Sequence, residues 1–139
     1  MINIIVTIHL IAIATALGGR IVFTPVLNRA LEEGLNERLD QLKDVLGIAR
    51  IADLGLIVGL LTGTILFFMQ GIGFTDTHWA FKLKLVTLLL LVTDIGAFHV
   101  AQMRVINHFD AQMVPALKRL NSLAVVLMSC MVLFAVFSM

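Results

Sequence analysis

The feature that most constrains this chain is a set of four long apolar runs: Ile2 to Pro25, Ile48 to Met69, Trp79 to Met103 and Leu120 to Ser138. Each reaches the ~20 residues that carry a helix across a bilayer. In lipid every backbone N–H and C=O must find a partner within the protein, which leaves helices as the solution for runs of this length. Of the 139 residues 60% are hydrophobic and 14% charged, against about 25% charged in an ordinary soluble domain. The sequence predicts an all-α fold, a four-helix transmembrane bundle in a lipid bilayer. Ala14-Thr15-Ala16 resembles a signal-peptide cleavage site, but no Lys or Arg precedes the first run, so it reads as a span. With Pro at two positions and no Ser/Gly-rich stretch, the chain reads as one domain over 1–139.

Charge fixes an expected orientation and removes some partners. Arg29, Arg38, Lys43 and Arg50 flank the first connection and Arg104, Lys118 and Arg119 the third, while the ends of the chain carry no Lys or Arg. By the positive-inside rule both termini face away from the cytoplasm, in a cell (inner) membrane. Lys82 and Lys84, just inside the third span, run against that pattern and can snorkel outward. A net charge of +1 with dispersed cations leaves no footprint for nucleic acid. Cys130 is the one cysteine, so it has no partner for a disulfide or a CxxC site.

Two helical patterns concern packing. Leu31, Leu35, Leu39, Leu42 and Leu46 recur at helical spacing among charged residues, which predicts a short amphipathic cytoplasmic helix between spans one and two, lying on the membrane surface or extending span two. Gly55, Gly59 and Gly63 form a stripe of small residues that lets another helix approach closely, within the bundle or at a homo-oligomer seam.

Ionisable side chains at membrane depth are costly and mark site candidates. They are His9, Arg20, Asp53, Lys82, Lys84, Asp94 and His99. At ~1.5 Å of rise per residue, His9 and Lys84 lie about 7–10 Å from the outer surface, with His78 and Trp79 at the mouth. Arg20, Asp53, Asp94 and His99 lie about 20–30 Å deep, where they can neutralise one another by pairing.

Along the first span, His9 and Arg20 are eleven residues apart, about 1100° of helical turn, and so share a face. Ala12 and Ala16 lie between them on that face. Such a stripe can wall a cavity for a flat cofactor, or it can pack against a neighbouring helix. His9 can be a hydrogen-bonded structural residue, or its neutral imidazole can ligate haem iron or copper. About 17 Å of depth separates His9 from His99, so the two do not fit one haem as joint axial ligands. Met69, Met103, Met128 and Met131, with Cys130, raise Cu(I) as an alternative metal. No P-loop, dinucleotide-binding glycine fingerprint, HExxH or GxSxG is present.

Taken together, His9 with Gly18-Gly19 and Pro25, Trp79 with Lys82-Leu83-Lys84-Leu85-Val86, and Arg119-Leu120-Asn121 opening span four resemble the HemJ-type protoporphyrinogen oxidases. The topology, Gly18-Gly19 and Thr62-Gly63 are also similar to CopD-type copper-resistance membrane proteins. The HemJ resemblance implies a small membrane oxidase that converts protoporphyrinogen IX to protoporphyrin IX and carries haem b. It implies His9 as the haem ligand and metal-binding residue, Lys82 or Lys84 as the essential lysine, and Arg119 and Asn121 as matches to the family's motif.

A haem-binding redox protein is accordingly the expected function. His9 is the axial ligand, Arg20 and Lys84 pair acidic groups of haem or porphyrin, and Asp94 and His99 transfer protons. A quinone or a respiratory complex takes the electrons. Three other readings stay open: a copper-handling protein, a non-catalytic subunit or assembly partner docked through the glycine stripe, and a proton-coupled transporter dependent on Asp53 or Asp94.

Overall fold

The computed structural model describes residues 1–32, 38–69, 71, 79–108 and 111–137. They form α1 (Ile2–Glu32), α2 (Arg38–Met69), α3 (Trp79–His108) and α4 (Val114–Phe137), with a 3-10 turn at Ala111–Met113 leading into α4. All four helices are long and apolar enough to cross a membrane, and only 11% to 22% of each one's most apolar stretch is buried inside the chain. The remaining surface is a jacket of exposed Ile, Leu, Val and Phe, among them Ile11, Leu54, Leu61, Leu89 and Val136. A jacket of that kind needs a non-aqueous surrounding. The molecule is a membrane-spanning four-helix bundle.

Hydroxyl groups within the spans conform to the same rule. Thr15, Thr64, Thr93 and Ser129 are exposed, yet each donates to the carbonyl four residues earlier, at 2.8–2.9 Å. A hydroxyl satisfied on its own helix can face lipid cheaply.

The helices outrun the apolar runs at the end of the bundle opposite the chain termini. Helix α1 passes through Pro25, where the Ile21 carbonyl loses its N–H partner, and continues to Glu32. The separate amphipathic helix expected between spans one and two is not found among the described residues. Instead Arg38 begins α2, which runs unbroken and free of proline to Met69. The physical reason is packing: Val45 and Leu46 are buried against Phe23, Leu27, Phe98 and Leu117, so this stretch is drawn into the core instead of lying on a membrane surface. Leu35 of the expected pattern lies outside the described residues. At the other end of α2, Gly71 adopts a φ of +63° while its N–H donates to the Phe68 carbonyl. That left-handed terminator is open to glycine at little cost.

The bundle consists of two antiparallel hairpins, α1/α2 and α3/α4, joined mainly through α1 against α4; among the described residues α2 and α3 touch only marginally. The α1/α2 hairpin is the closer. A Cβ placed on Gly55 would lie 2.8 Å from the Ala12 carbonyl oxygen and 2.9 Å from the Ala16 nitrogen, and one on Gly19 would lie 2.8 Å from Ala52 Cβ. The glycine stripe of α2 is therefore the seam with α1, inside one chain. Where α2 and α3 do meet, near the termini, Phe67 and Phe81 stack at 5.0 Å.

Inside, polar and apolar layers alternate along the bundle axis. Ala16, Leu91, Ala124 and Met128 form an apolar layer. A larger apolar cluster built on Phe23, Leu27, Ala49, Phe98 and Leu117 fills the end away from the termini. Apart from Gln102, buried next to Ala101 on α3, the buried polar side chains of the spans occupy two levels, one on the termini side of the first layer and one between the two.

Candidate functional site

The interior face of α3 is a heptad: Ala80, Lys84, Thr87, Leu91, Asp94, Phe98, Ala101 and Val105 are all turned inward to some degree. Steps of four and three residues keep these positions on one side of the helix. This phase separates residues that the sequence left grouped. Lys84 is half-buried whereas Lys82 is exposed. Asp94 is buried whereas His99, five residues on and about 140° around the helix, is exposed. The structure does not bring His99 to Asp94.

The first polar level holds His9, Thr62 and Lys84. His9 Nδ1 lies 2.9 Å from Thr62 Oγ1. The Thr62 hydroxyl has one proton, and it donates that proton to the Val58 carbonyl at 2.7 Å. With that proton so placed, Thr62 Oγ1 accepts from His9 Nδ1–H, and the Gly59 backbone also hydrogen-bonds the ring. A neutral imidazole that carries its proton on Nδ1 presents its lone pair on Nε2, the arrangement found where a second hydrogen bond orients a metal-ligating histidine. Gly63 makes room for the ring: a Cβ there would come within 3.0 Å of His9 Cε1. The Lys84 charge acts on His9, and Asp44, Asp53 and Asp94, the carboxylates described within the spans, stand farther from the chain termini. His78, expected at the mouth, lies outside the described residues.

The second level holds Arg20, Asp53, Asp94 and Asn121. Arg20 is fully buried and donates through Nη2 to Asp53 Oδ1 in a salt bridge. Its guanidinium also sits 4.3 Å from the centroid of the Phe98 ring, a cation–π contact. Phe98 is one turn from Asp94 on the inward face of α3, and the Arg20 charge acts on Asp94. From α4, Asn121 Nδ2 donates to the Arg20 carbonyl at 2.8 Å and to Thr24 Oγ1 at 3.0 Å. Arg119, its neighbour in the sequence motif, is exposed.

Sequence reasoning placed the charged members of this level at one depth and expected them to pair. It missed Thr62 as the partner of His9, Thr24 as the partner of Asn121, and Phe98 beneath Arg20. Only Phe98 had a usable signal, its four-residue spacing from Asp94 on a helix.

The stripe of Ala12 and Ala16 has no room for a flat cofactor, because Gly55 packs directly on it. A groove of about 310 Å3 does lie between α1 and α2, lined by Ile8, Ile11, Thr15, Ile51, Leu54 and Val58 among others. Its walls are apolar and mostly exposed, and His9 is not among them. Met128 and Met131 pack with Ala16, Leu91 and Ala124 as core residues. Among the described residues no three His, Cys, Asp or Glu side chains converge as a metal site.

No family model, curated protein or solved structure matches this chain. What it does must be argued from its two polar levels.

Proposed function

We propose that this chain is a haem-binding redox protein of the cell inner membrane, with His9 as axial ligand and porphyrinogen oxidation of HemJ type as its reaction class. The observation that carries the proposal is the His9–Thr62 hydrogen bond, which orients the ring; with the imidazole proton on Nδ1, Nε2 would be left as a donor for iron. Mono-histidine ligation needs no cluster of ligands, so a solitary, oriented histidine fits haem better than it fits a copper site built on several donors.

The donor chemistry of the first level suits such a group, whereas the Ala12/Ala16 stripe has no room for it. His9 would hold the iron, and Lys84, a cation with no carboxylate at its level among the described residues, would pair an acidic substituent. Haem held there supplies one-electron redox chemistry, its potential tuned by the axial ligand and its surroundings. Arg20 donates through Nη2 to Asp53 at the other level. A quinone or a respiratory complex is the acceptor class for such a protein. The Lys and Arg distribution favours both termini on the non-cytoplasmic side.

The test is the visible spectrum of the protein purified in detergent from cells supplied with haem, beside metal analysis. The expected result is a Soret band that disappears in His9→Ala and persists in His99→Ala. A colourless, haem-free preparation overturns the proposal, and copper found in it would make copper handling the better description.

A further inference from the structure

The second polar level contains a charge imbalance that the haem proposal does not use. Five buried side-chain atoms at this level have no hydrogen-bond partner among the described residues: Arg20 Nε and Nη1, Asp94 Oδ1 and Oδ2, and Asn121 Oδ1. Their residues are 0%, 6% and 2% exposed, so neither water nor lipid headgroups reach them from outside. The groups facing this point from each helix are Arg20 of α1, Asp53 of α2, Asp94 of α3 and Asn121 of α4. His99 points away, and Lys84 stands ten residues from Asp94 on α3, about 15 Å along the helix.

One guanidinium faces two carboxyl groups. Asp53 holds the salt bridge, and the level with Asp94 ionised would carry a net charge of −1. An ionised carboxylate without a hydrogen bond in the middle of a membrane bundle is strongly disfavoured. One added positive charge restores balance, and a proton does so in the smallest volume. Protonation also turns one Asp94 oxygen into a donor, and the unpartnered Asn121 Oδ1 is an acceptor. Arg20 makes no hydrogen bond to either Asp94 oxygen in this arrangement.

We propose that Asp94 is a single-proton binding site at the centre of the bundle, its proton held because Asp53 outcompetes it for Arg20. Proton release from Asp94 is then coupled to Arg20: when the guanidinium turns from Asp53 to Asp94, the Asp94 proton leaves and Asp53 needs one. Arg20, Asp53 and Asp94 together hold one proton in either arrangement. The site is independent of the haem proposal, and its test requires no haem.

The experiment is infrared spectroscopy of the full chain in lipid bilayers at neutral pH, in a buffer whose only cation is a bulky organic one. The wild type is expected to show a protonated-carboxyl C=O band that shifts in D2O. Asp94→Asn should lose the band and keep the wild-type melting temperature, because the amide copies the neutral acid in shape and polarity. Asp53→Asn should lose it as well, although Asp94 is still present, because Asp94 then becomes the sole carboxylate for Arg20 and ionises. That second loss separates competition for Arg20 from simple burial of Asp94. A wild type without the band, a band that survives Asp94→Asn, or a band that survives Asp53→Asn overturns the proposal. So does a wild-type band abolished by adding sodium, which would show that the level takes a metal cation instead of a proton. If Asp53→Asn does not accumulate, wild type and Asp94→Asn still decide whether Asp94 carries the proton.

Discussion

The two polar levels of this bundle share the same helices yet are unbalanced in opposite senses. At the level of His9, a half-buried lysine has no carboxylate beside it among the described residues, and a histidine is oriented by Thr62. At the level of Arg20, two aspartates compete for one fully buried arginine. Between them lies the apolar layer of Ala16, Leu91, Ala124 and Met128. Burial differs as well: His9 and Lys84 keep partial exposure, whereas Arg20, Asp94 and Asn121 are sealed and Asp53 alone of their level is partly exposed. A surplus cation at an accessible level suits an anionic ligand that enters and leaves. A surplus anion at a sealed level suits a proton, which needs almost no space.

Substitutions at the sealed level should have the largest effect on folding. Arg20→Ala strands the Asp53 carboxylate and is expected to cost about 3–5 kcal/mol, enough to prevent accumulation of a folded chain. Unfolding in detergent, followed by circular dichroism, measures the loss. An Arg20→Ala protein as stable as wild type would break the comparison, since the two levels would then be equally dispensable.

The seam that sets the register of both levels comes next. Gly55→Ala pushes a methyl group into α1 backbone and is expected to destabilise by about 1–3 kcal/mol. It should also disturb His9–Thr62 and Arg20–Asp53 together, because one helix pair positions both. Gly18→Ala meets nothing within 4 Å and should melt with the wild type.

Smaller effects are expected at the accessible level, and they fall on ligand binding instead of folding. Thr62→Val removes the acceptor that orients His9 and should weaken haem binding about 10–100-fold in a Soret titration. Thr62→Ser should restore it. Lys84→Gln should weaken haem by about 1.5 kcal/mol, roughly tenfold, while leaving haem dimethyl ester, whose carboxylates are blocked, unaffected. Lys82→Gln, on the exposed side of α3, should change neither.

The architecture was legible in the sequence because hydropathy and length alone dictate helices of this kind in lipid. Helical phase within one span was legible too. His9, Ala12, Ala16 and Arg20 share a face as expected, and phase on α3 would have parted Asp94 from His99 and Lys84 from Lys82. What phase cannot supply is register between helices. That Asp53, and not Asp94, takes Arg20 depends on how far α2 slides along α1, which Gly19 against Ala52 and Gly55 against Ala12 fix by contact. The amphipathic segment left its two placements open for a related reason, and α2 takes it up as an extension of span two. Its leucine spacing describes a helix with an apolar side, and only the core around Phe23 and Leu27 shows that Leu46 packs within the bundle.

The most direct test of the account is the tautomer of His9 in the ligand-free protein. Nitrogen-15 NMR of histidine-labelled protein in bilayers, with the His9 signals assigned by their loss in His9→Ala, distinguishes a protonated from an unprotonated ring nitrogen. A neutral ring with the proton on Nδ1 and a bare Nε2 is expected. A His9 ring protonated on Nε2 in the wild type would contradict it, because the lone pair would then face Thr62 and no donor would be left for iron.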